Sequence, residues 1–352
     1  MQASGGTEFM DQQQSNDLAL HWIENAGAIL VIVGAGLSYG LEVPADEGWG
    51  DYPRPPDEDV VNWRERYGTD VNKMWGIEGP KLLRSVVRGA KLQNPSYKLL
   101  FDLLRYRNHF IWTSNVDHRL HTAGFSEHRI YTPQGDLTLL QCSTPCGKAP
   151  AAWNALNPLL GLLMQGVIDH TTHAVRSDPE NTQFIPSCPN CDAPAYKHTR
   201  HNSLFTHQPY DETQRRLVDW LLQAEEVAPG SVLVLELGCG LSTPWVTRFP
   251  AEAIARQLPA RLLRVNISEK DAQAPPDLVA SGRALSLVAT AEDALRGLAR
   301  LSNHASELES CSMTAAMPVR PRPPRIPFAH EKISWTAYLD KLRDPSVKPA
   351  LM

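Results

Sequence analysis

Two stretches of the chain are apolar at nearly every position, 29–33 and 231–237. Unbroken apolar runs of this length, rich in Val, Ile and Leu, predict strands buried on both faces, as in a parallel α/β sheet. Each run stops at a glycine turn: Gly34-Ala35-Gly36 with Ser38 close behind, and Gly238-Cys239-Gly240 followed by Ser242 and Thr243. Further apolar runs predict strands at 109–113, 129–132 and 261–265, the last ending at Asn266. Helical spacing marks 17–25, capped by Asn16 or Asp17, with Leu18, Trp22 and Ile23 on its apolar face. Pro95 opens a helix over 95–108, and helices follow at 211–225 (apolar face Leu217, Val218, Leu221, Leu222) and 292–301. Residues 1–16 and the proline-rich stretch beyond 303 have no such period and read as disordered. The stretch 43–59 reads as a loop, and 60–90 as a small helical module.

The organisation this predicts is a Rossmann-like parallel sheet over 17–135 and 207–302, with an inserted module at 136–206 and a mobile tail at 303–352. Composition narrows the function without naming it. The 352 residues carry a dispersed net charge of −5, so no basic footprint argues for nucleic acid. No apolar run is long enough to span a membrane, and the polar N-terminus lacks the core of a secretion signal. The reading is a cytoplasmic protein.

Chemistry concentrates in three places. A glycine turn between a buried strand and a helix lets the backbone approach a phosphate group. That makes Gly34, Ala35, Gly36 and Ser38 candidate cofactor contacts. The strand at 109–113 runs into Asn115 and Asp117, where open α/β sheets bind ligands, just past the strand's C-terminal end. The inserted module carries Cys142 and Cys146, then Cys188 and Cys191, in a C-x₃-C and C-x₂-C arrangement. Two close pairs fit a tetrahedral structural zinc site, since four thiolates leave no open position for substrate. His198 or His201 is an alternative fourth ligand, and Cys239 and Cys311 stand apart.

The turn in VLVLELGCGLSTP resembles the first motif of S-adenosylmethionine-dependent methyltransferases. The next strand ends in Asn266, however, not in the acidic residue that holds a ribose in that family. The order of motifs decides otherwise. Gly34-Ala35-Gly36-Leu37-Ser38 precedes Thr113-x-Asn115-x-Asp117 and Leu120-His121-x-Ala123-Gly124. Then come Tyr131-x-x-Gln134-Gly135, the two cysteine pairs, the turn from Gly238 to Pro244, and Val265-Asn266. This succession resembles the sirtuin family from about residue 17 to 301. The resemblance implies an NAD-binding Rossmann-like domain, a zinc-ribbon small domain, and cleavage of the nicotinamide–ribose bond. It adds Gln134, Gly238, Gly240, Ser242, Thr243 and Asn266 to the implied cofactor contacts.

One position departs from the sirtuin deacylases. They carry His-Gly where this chain has Gln134-Gly135, and an amide cannot accept the proton that the histidine takes as general base. The glutamine, QGDLTLLQCSTPC, ELGCGLSTPWVTRFP and Arg200 resemble instead the macrodomain-associated class M sirtuins. That resemblance implies transfer of ADP-ribose to a protein side chain, with Asn115, Gln134 and Arg200 as catalytic residues and, as acceptor, a lipoyl-carrier protein. A carboxylate acceptor is already ionised at neutral pH and needs no base, so losing the histidine damages deacylation more than transfer. A protein deacylase with its base elsewhere, or a silent NAD-binding scaffold, remains the alternative.

Overall fold

The computed structural model describes residues 12–38, 94–155, 186–200, 203–241 and 243–310. Chain contacts divide the protein into two units, Met1–Asn303 and His304–Met352. Everything described below lies in the first, apart from the end of the last helix. The strands, in chain order, are β1 (Ala28–Val33), β2 (His109–Thr113), β3 (Ile130–Tyr131), β4 (Gly135–Cys142), β5 (Ala152–Asn154), β6 (Ala195–Thr199), β7 (Val232–Leu237), β8 (Arg261–Asn266) and β9 (Ala284–Val288). The helices are α1 (Gln12–Glu24), α2 (Pro95–Leu104), α3 (Arg119–Thr122), α4 (Asp211–Val227), α5 (Arg248–Gln257), α6 (Glu269–Ala272), α7 (Pro276–Ala280) and α8 (Ala291–Ser310).

Six strands form one sheet in the order β3-β2-β1-β7-β8-β9, and every pairing in it is parallel. Both faces are covered, which is why the central strands are apolar at every position. On one face Ile29, Val31, Val33, Leu233, Leu235 and Leu237 pack in a cluster with Ile23 of α1, Leu100 and Leu104 of α2, and Leu295 of α8. Alternate residues point the other way, where Phe110 of β2 meets Trp220 of α4 at 5.7 Å between ring centroids. From β1 the chain builds β2 and β3 on one side, then crosses back to lay β7 on the other. The two halves therefore part between the C-terminal ends of β1 and β7, the switch point where open α/β sheets hold ligands.

A second, antiparallel sheet of order β5-β4-β6 is built from the inserted stretch. It is a finding that periodicity did not predict, because these strands are short and their exposure is irregular. Other differences are local. The first helix starts at Gln12, a turn before the expected Asn16 or Asp17 cap, inside the stretch read as disordered. The helix opened by Pro95 ends at Leu104, and Asn94 caps it by accepting from the Ser96 backbone N–H. The 129–132 strand shrinks to two residues. In α4 the buried face is Gln214, Leu217, Trp220, Leu221 and Ala224, while Leu222 is 41% exposed. Of the four residues expected on the apolar face, Leu217 and Leu221 are buried, while Trp220 and Ala224 take the places expected of Val218 and Leu222. The edge strand β9 and helices α5 to α7 had no expectation, and α8 runs on to Ser310. The expected loop at 43–59, the helical module at 60–90 and the tail beyond Ser310 lie outside the described residues.

Beneath the second glycine turn lies a buried ion network. Arg264 of β8 and Glu236 of β7 are each 1% exposed at the side chain and approach to 2.9 Å. Glu252 of α5 also lies 2.9 Å from Arg264, and Arg264 donates to the Gln273 carbonyl at 2.6 Å. Burial raises the Glu236 pKa, and the arginine opposes it. Nearby, Arg248 donates to the carbonyls of Cys239, at 3.2 Å, and Asp271, at 2.5 Å. Together these charges fix the backbone that leads out of β7.

Candidate functional site

The two glycine turns meet at the switch point. Gly34 N–H donates to Leu237 O at 3.0 Å, and Gly36 N–H to Gly238 O at 2.9 Å. A Cβ on Gly36 would stand 2.6 Å from the Gly238 Cα, and one on Gly34 2.5 Å from the Gly238 carbonyl oxygen. These glycines are required because one turn lies against the other, backbone on backbone. A substitution at Gly36 therefore disturbs the packing of the two turns as well as any cofactor contact there. Gly240 differs: the nearest heavy atom a Cβ there would meet is Asp271 Oδ2 at 4.0 Å. Among the described residues its backbone is open, and Ala35 in the first turn is exposed.

Just beyond β2, the chain builds a polar cluster against the first turn. Thr113 Oγ1 donates to Val33 O and accepts from Asn115 N–H at 2.9 Å, which tucks Asn115 over the end of β1. Asn115 Nδ2 donates to Gly34 O at 3.0 Å and to the Tyr97 hydroxyl at 3.2 Å. Asp117 Oδ2 accepts from Tyr97 at 2.7 Å and from Ser38 at 3.1 Å. The expected residues Ser38, Asn115 and Asp117 are thus joined through one that sequence reasoning missed. Tyr97 sits in the first turn of an amphipathic helix and reads as core; only its hydrogen bonds to the groups beside the glycine turn reveal its role. Burial, helped by the Asp117 charge, pushes its phenol well above the ordinary range, so it acts as a hydrogen-bonding group and not as an acid.

Gln134 and Arg200 are brought together by the antiparallel sheet. Strands β4 and β6 pair from Gly135 opposite Thr199 to Cys142 opposite Ala195. Gln134 and Arg200 flank one end of this ribbon, where Arg200 N–H donates to Gln134 O at 2.8 Å. Arg200 Nε donates to Pro133 O at 3.2 Å, and its guanidinium lies 4.7 Å from the Phe205 ring centroid. Gly135 has φ +97°, and a Cβ there would run into the His198 carbonyl on β6. The glycine after Gln134 is therefore what lets the two strands close at this end.

The four cysteines occupy the other end. One sulfur from each of Cys142, Cys146, Cys188 and Cys191 lies within 4.8 Å of the rest, and those of Cys142 and Cys191 are 3.6 Å apart. Sulfurs on a tetrahedral zinc at about 2.3 Å stand about 3.8 Å from one another, so the thiols fit that ion. Opposite β4 the partner strand runs only from Ala195 to Thr199, so the cluster is about 13 Å along the ribbon from the Gly135 end, too far to touch a ligand beside Gln134. His198 is not a ligand alternative. Its ring is fully buried, with Nε2 2.8 Å from Thr206 O and Nδ1 3.0 Å from the Tyr210 hydroxyl. His201 lies outside the described residues.

The remaining expected contacts divide. Thr243 is half-buried beside the second turn, and Ser242 lies outside the described residues. Asn266 uses its amide internally: Nδ2 donates to Cys239 O at 3.1 Å, and Oδ1 accepts from Ser268 N–H at 3.2 Å. Glu236, the acidic residue of the methyltransferase-like motif, is spent on Arg264. The geometry thus withdraws that reading's main support.

No family model matches the chain. Its fold is that of Sir2 homologues. It superposes on a Sir2 homologue in complex with NAD with a TM-score of 0.53 and 18% identity, over 84% of this chain and 95% of that one. A mutant Sir2 homologue bound to ADP-ribose matches at a TM-score of 0.52 and 17% identity, over 85% of this chain and 99% of that one. Among characterised sequences, the chain is 28% identical over 265 residues to a probable bifunctional ADP-ribose hydrolase/ADP-ribosyltransferase of Fusarium oxysporum f. sp. cubense. That match takes in 72% of this chain but only 42% of the fungal protein. A protein ADP-ribosyltransferase of Staphylococcus aureus is 23% identical, over 67% of this chain and 72% of its own length.

Proposed function

We propose that the protein is an NAD-dependent protein mono-ADP-ribosyltransferase of sirtuin fold, of the class M type. The observation that carries this reading is the backbone hydrogen bond from Arg200 N–H to Gln134 O, which sets the two residues side by side at one end of the β4–β6 ribbon. An amide stands where sirtuin deacylases hold a general base, and a cation stands beside it. The names of the fungal and staphylococcal relatives support the same activity.

NAD would supply the ADP-ribosyl group and a nicotinamide that leaves as a neutral base. Its pyrophosphate fits the open backbone at Ala35 and Gly240. Asn115 commits its amide nitrogen to Gly34 and Tyr97, which turns its oxygen toward a ribose or an attacking group. Gln134 hydrogen-bonds ribose hydroxyls without removing their protons. Arg200 orients the acceptor side chain or the ribose. Asp117, held by Ser38 and Tyr97, faces the nicotinamide end. The structural zinc keeps the far end of the ribbon closed, and so keeps Gln134 and Arg200 in register.

The acceptor is a protein side chain, and a lipoyl-carrier protein is the first to assay. The test is nicotinamide release measured with and without candidate acceptor protein, alongside equilibrium binding of NAD and S-adenosylmethionine. Binding of NAD alone, with release that rises when acceptor is added, is the expected result. NAD binding without release would make the protein a scaffold, and S-adenosylmethionine binding would overturn the reading.

A further inference from the structure

Next to this site is a cluster that the proposed reaction does not use. His118 follows Asp117 and holds the left-handed conformation, with φ 60°. That geometry is uncommon for a side chain with a Cβ and marks a position held by its surroundings. Its Nδ1 lies 2.6 Å from Oδ2 of Asp136, a buried carboxylate on β4. The other oxygen of Asp136 accepts from the Thr138 backbone N–H at 2.7 Å and hydroxyl at 2.6 Å. On its other side His118 stacks on His121 of α3, with ring centroids 4.2 Å apart and planes within 6°. His121 Nδ1 is buried and has no hydrogen-bond partner.

A buried imidazole nitrogen left without a partner is unfavourable, and such an atom in a folded protein points to a ligand for it. One donor atom from each of His118, His121 and Asp136 lies within 4.8 Å of the other two. Two imidazoles and a carboxylate are a donor set that zinc-class divalent ions accept, with a remaining position for water. We propose that His118, His121 and Asp136 form a second metal site, for a divalent ion that prefers nitrogen and oxygen ligands, distinct from the four cysteines. The ion takes the place of the proton shared by His118 and Asp136, which is released to solvent. Tetrahedral ligands at about 2.1 Å stand about 3.4 Å apart. Binding therefore parts the 2.6 Å contact of His118 with Asp136, as the two rings turn out of their stack.

Zinc stoichiometry tests this directly. The untagged full-length protein is saturated with zinc, desalted and measured by elemental analysis, together with His121→Ala and Cys188→Ser. The expected result is about two equivalents in the unaltered chain and about one in each variant. In cobalt-loaded His121→Ala the intense thiolate-to-metal absorption of the cysteine site should persist, while Cys188→Ser should lose it. A wild-type protein that saturates at one equivalent overturns the proposal whatever the variants do. So does a folded His121→Ala that retains both equivalents. Neither result depends on the transferase reading, since no turnover is measured.

Discussion

At the scale of single residues, the account turns on Gln134 and on the hydroxyl of Tyr97. On the proposed reading, Gln134→Ala would remove a hydrogen bond to ribose that strengthens as charge develops there. ADP-ribosyl transfer should fall by about 1–3 kcal/mol in barrier, or one to two powers of ten in rate, while the melting temperature stays unchanged. Gln134→His installs a group that accepts protons near neutral pH, and deacylation of an acyl-lysine peptide should appear where wild type shows none. Efficient deacylation by the wild-type protein would show that the glutamine does not set the reaction. Tyr97→Phe deletes the atom that joins Ser38, Asn115 and Asp117. Because Asp117 then loses a buried donor, urea denaturation should show a loss of about 1–2 kcal/mol, accompanied by weaker NAD binding. Of these two residues only Gln134 was legible beforehand. It departs from a motif, whereas a tyrosine at helical spacing looks like core until the fold bends the helix over the glycine turn.

At the scale of elements, the turns and the ribbon make separable predictions. Gly36→Val would press a branched side chain into the backbone of Gly238, so it should lower the melting temperature and NAD affinity together. Apart from its chain neighbours, the nearest described atom to a Cβ in Gly240→Ala is Asp271 Oδ2, at 4.0 Å. This variant should melt like wild type and still weaken NAD binding about tenfold, if the pyrophosphate approaches there; unchanged affinity by calorimetry would move the pyrophosphate off this turn. Arg264→Ala leaves Glu236 buried without its partner and should cost about 3–5 kcal/mol by urea denaturation, unlike an exposed pair such as Arg296 with Glu292. The strands of the large sheet were readable because burial on both faces makes them apolar throughout. The strands of the small sheet were not, because their buried positions fall in runs and not alternately, and β5 has only three residues. Their sequence accordingly shows little alternation.

At the scale of the whole molecule, sequence order carried more than any single motif. The glycine turns are 200 residues apart in the chain yet touch at the switch point, because the strand order β2-β1-β7 brings their strand ends side by side. The same path sets Asn115 over the end of β1 and delivers Gln134 and Arg200 from the two strands of the ribbon. What the sequence could not disclose is the use of side chains inside the fold. Asn266 and Glu236 both sit at motif positions and are both occupied by neighbouring protein groups. The central claim is that the assembled site moves ADP-ribose onto a protein. Its most direct test is incubation with NAD labelled on the adenylate phosphate, an acceptor protein and an acyl-lysine peptide in one reaction, resolved on a denaturing gel. The account predicts label covalently retained on the acceptor, nicotinamide released in step with it, and the peptide still acylated. Released nicotinamide with a deacylated peptide and no label on protein would contradict it.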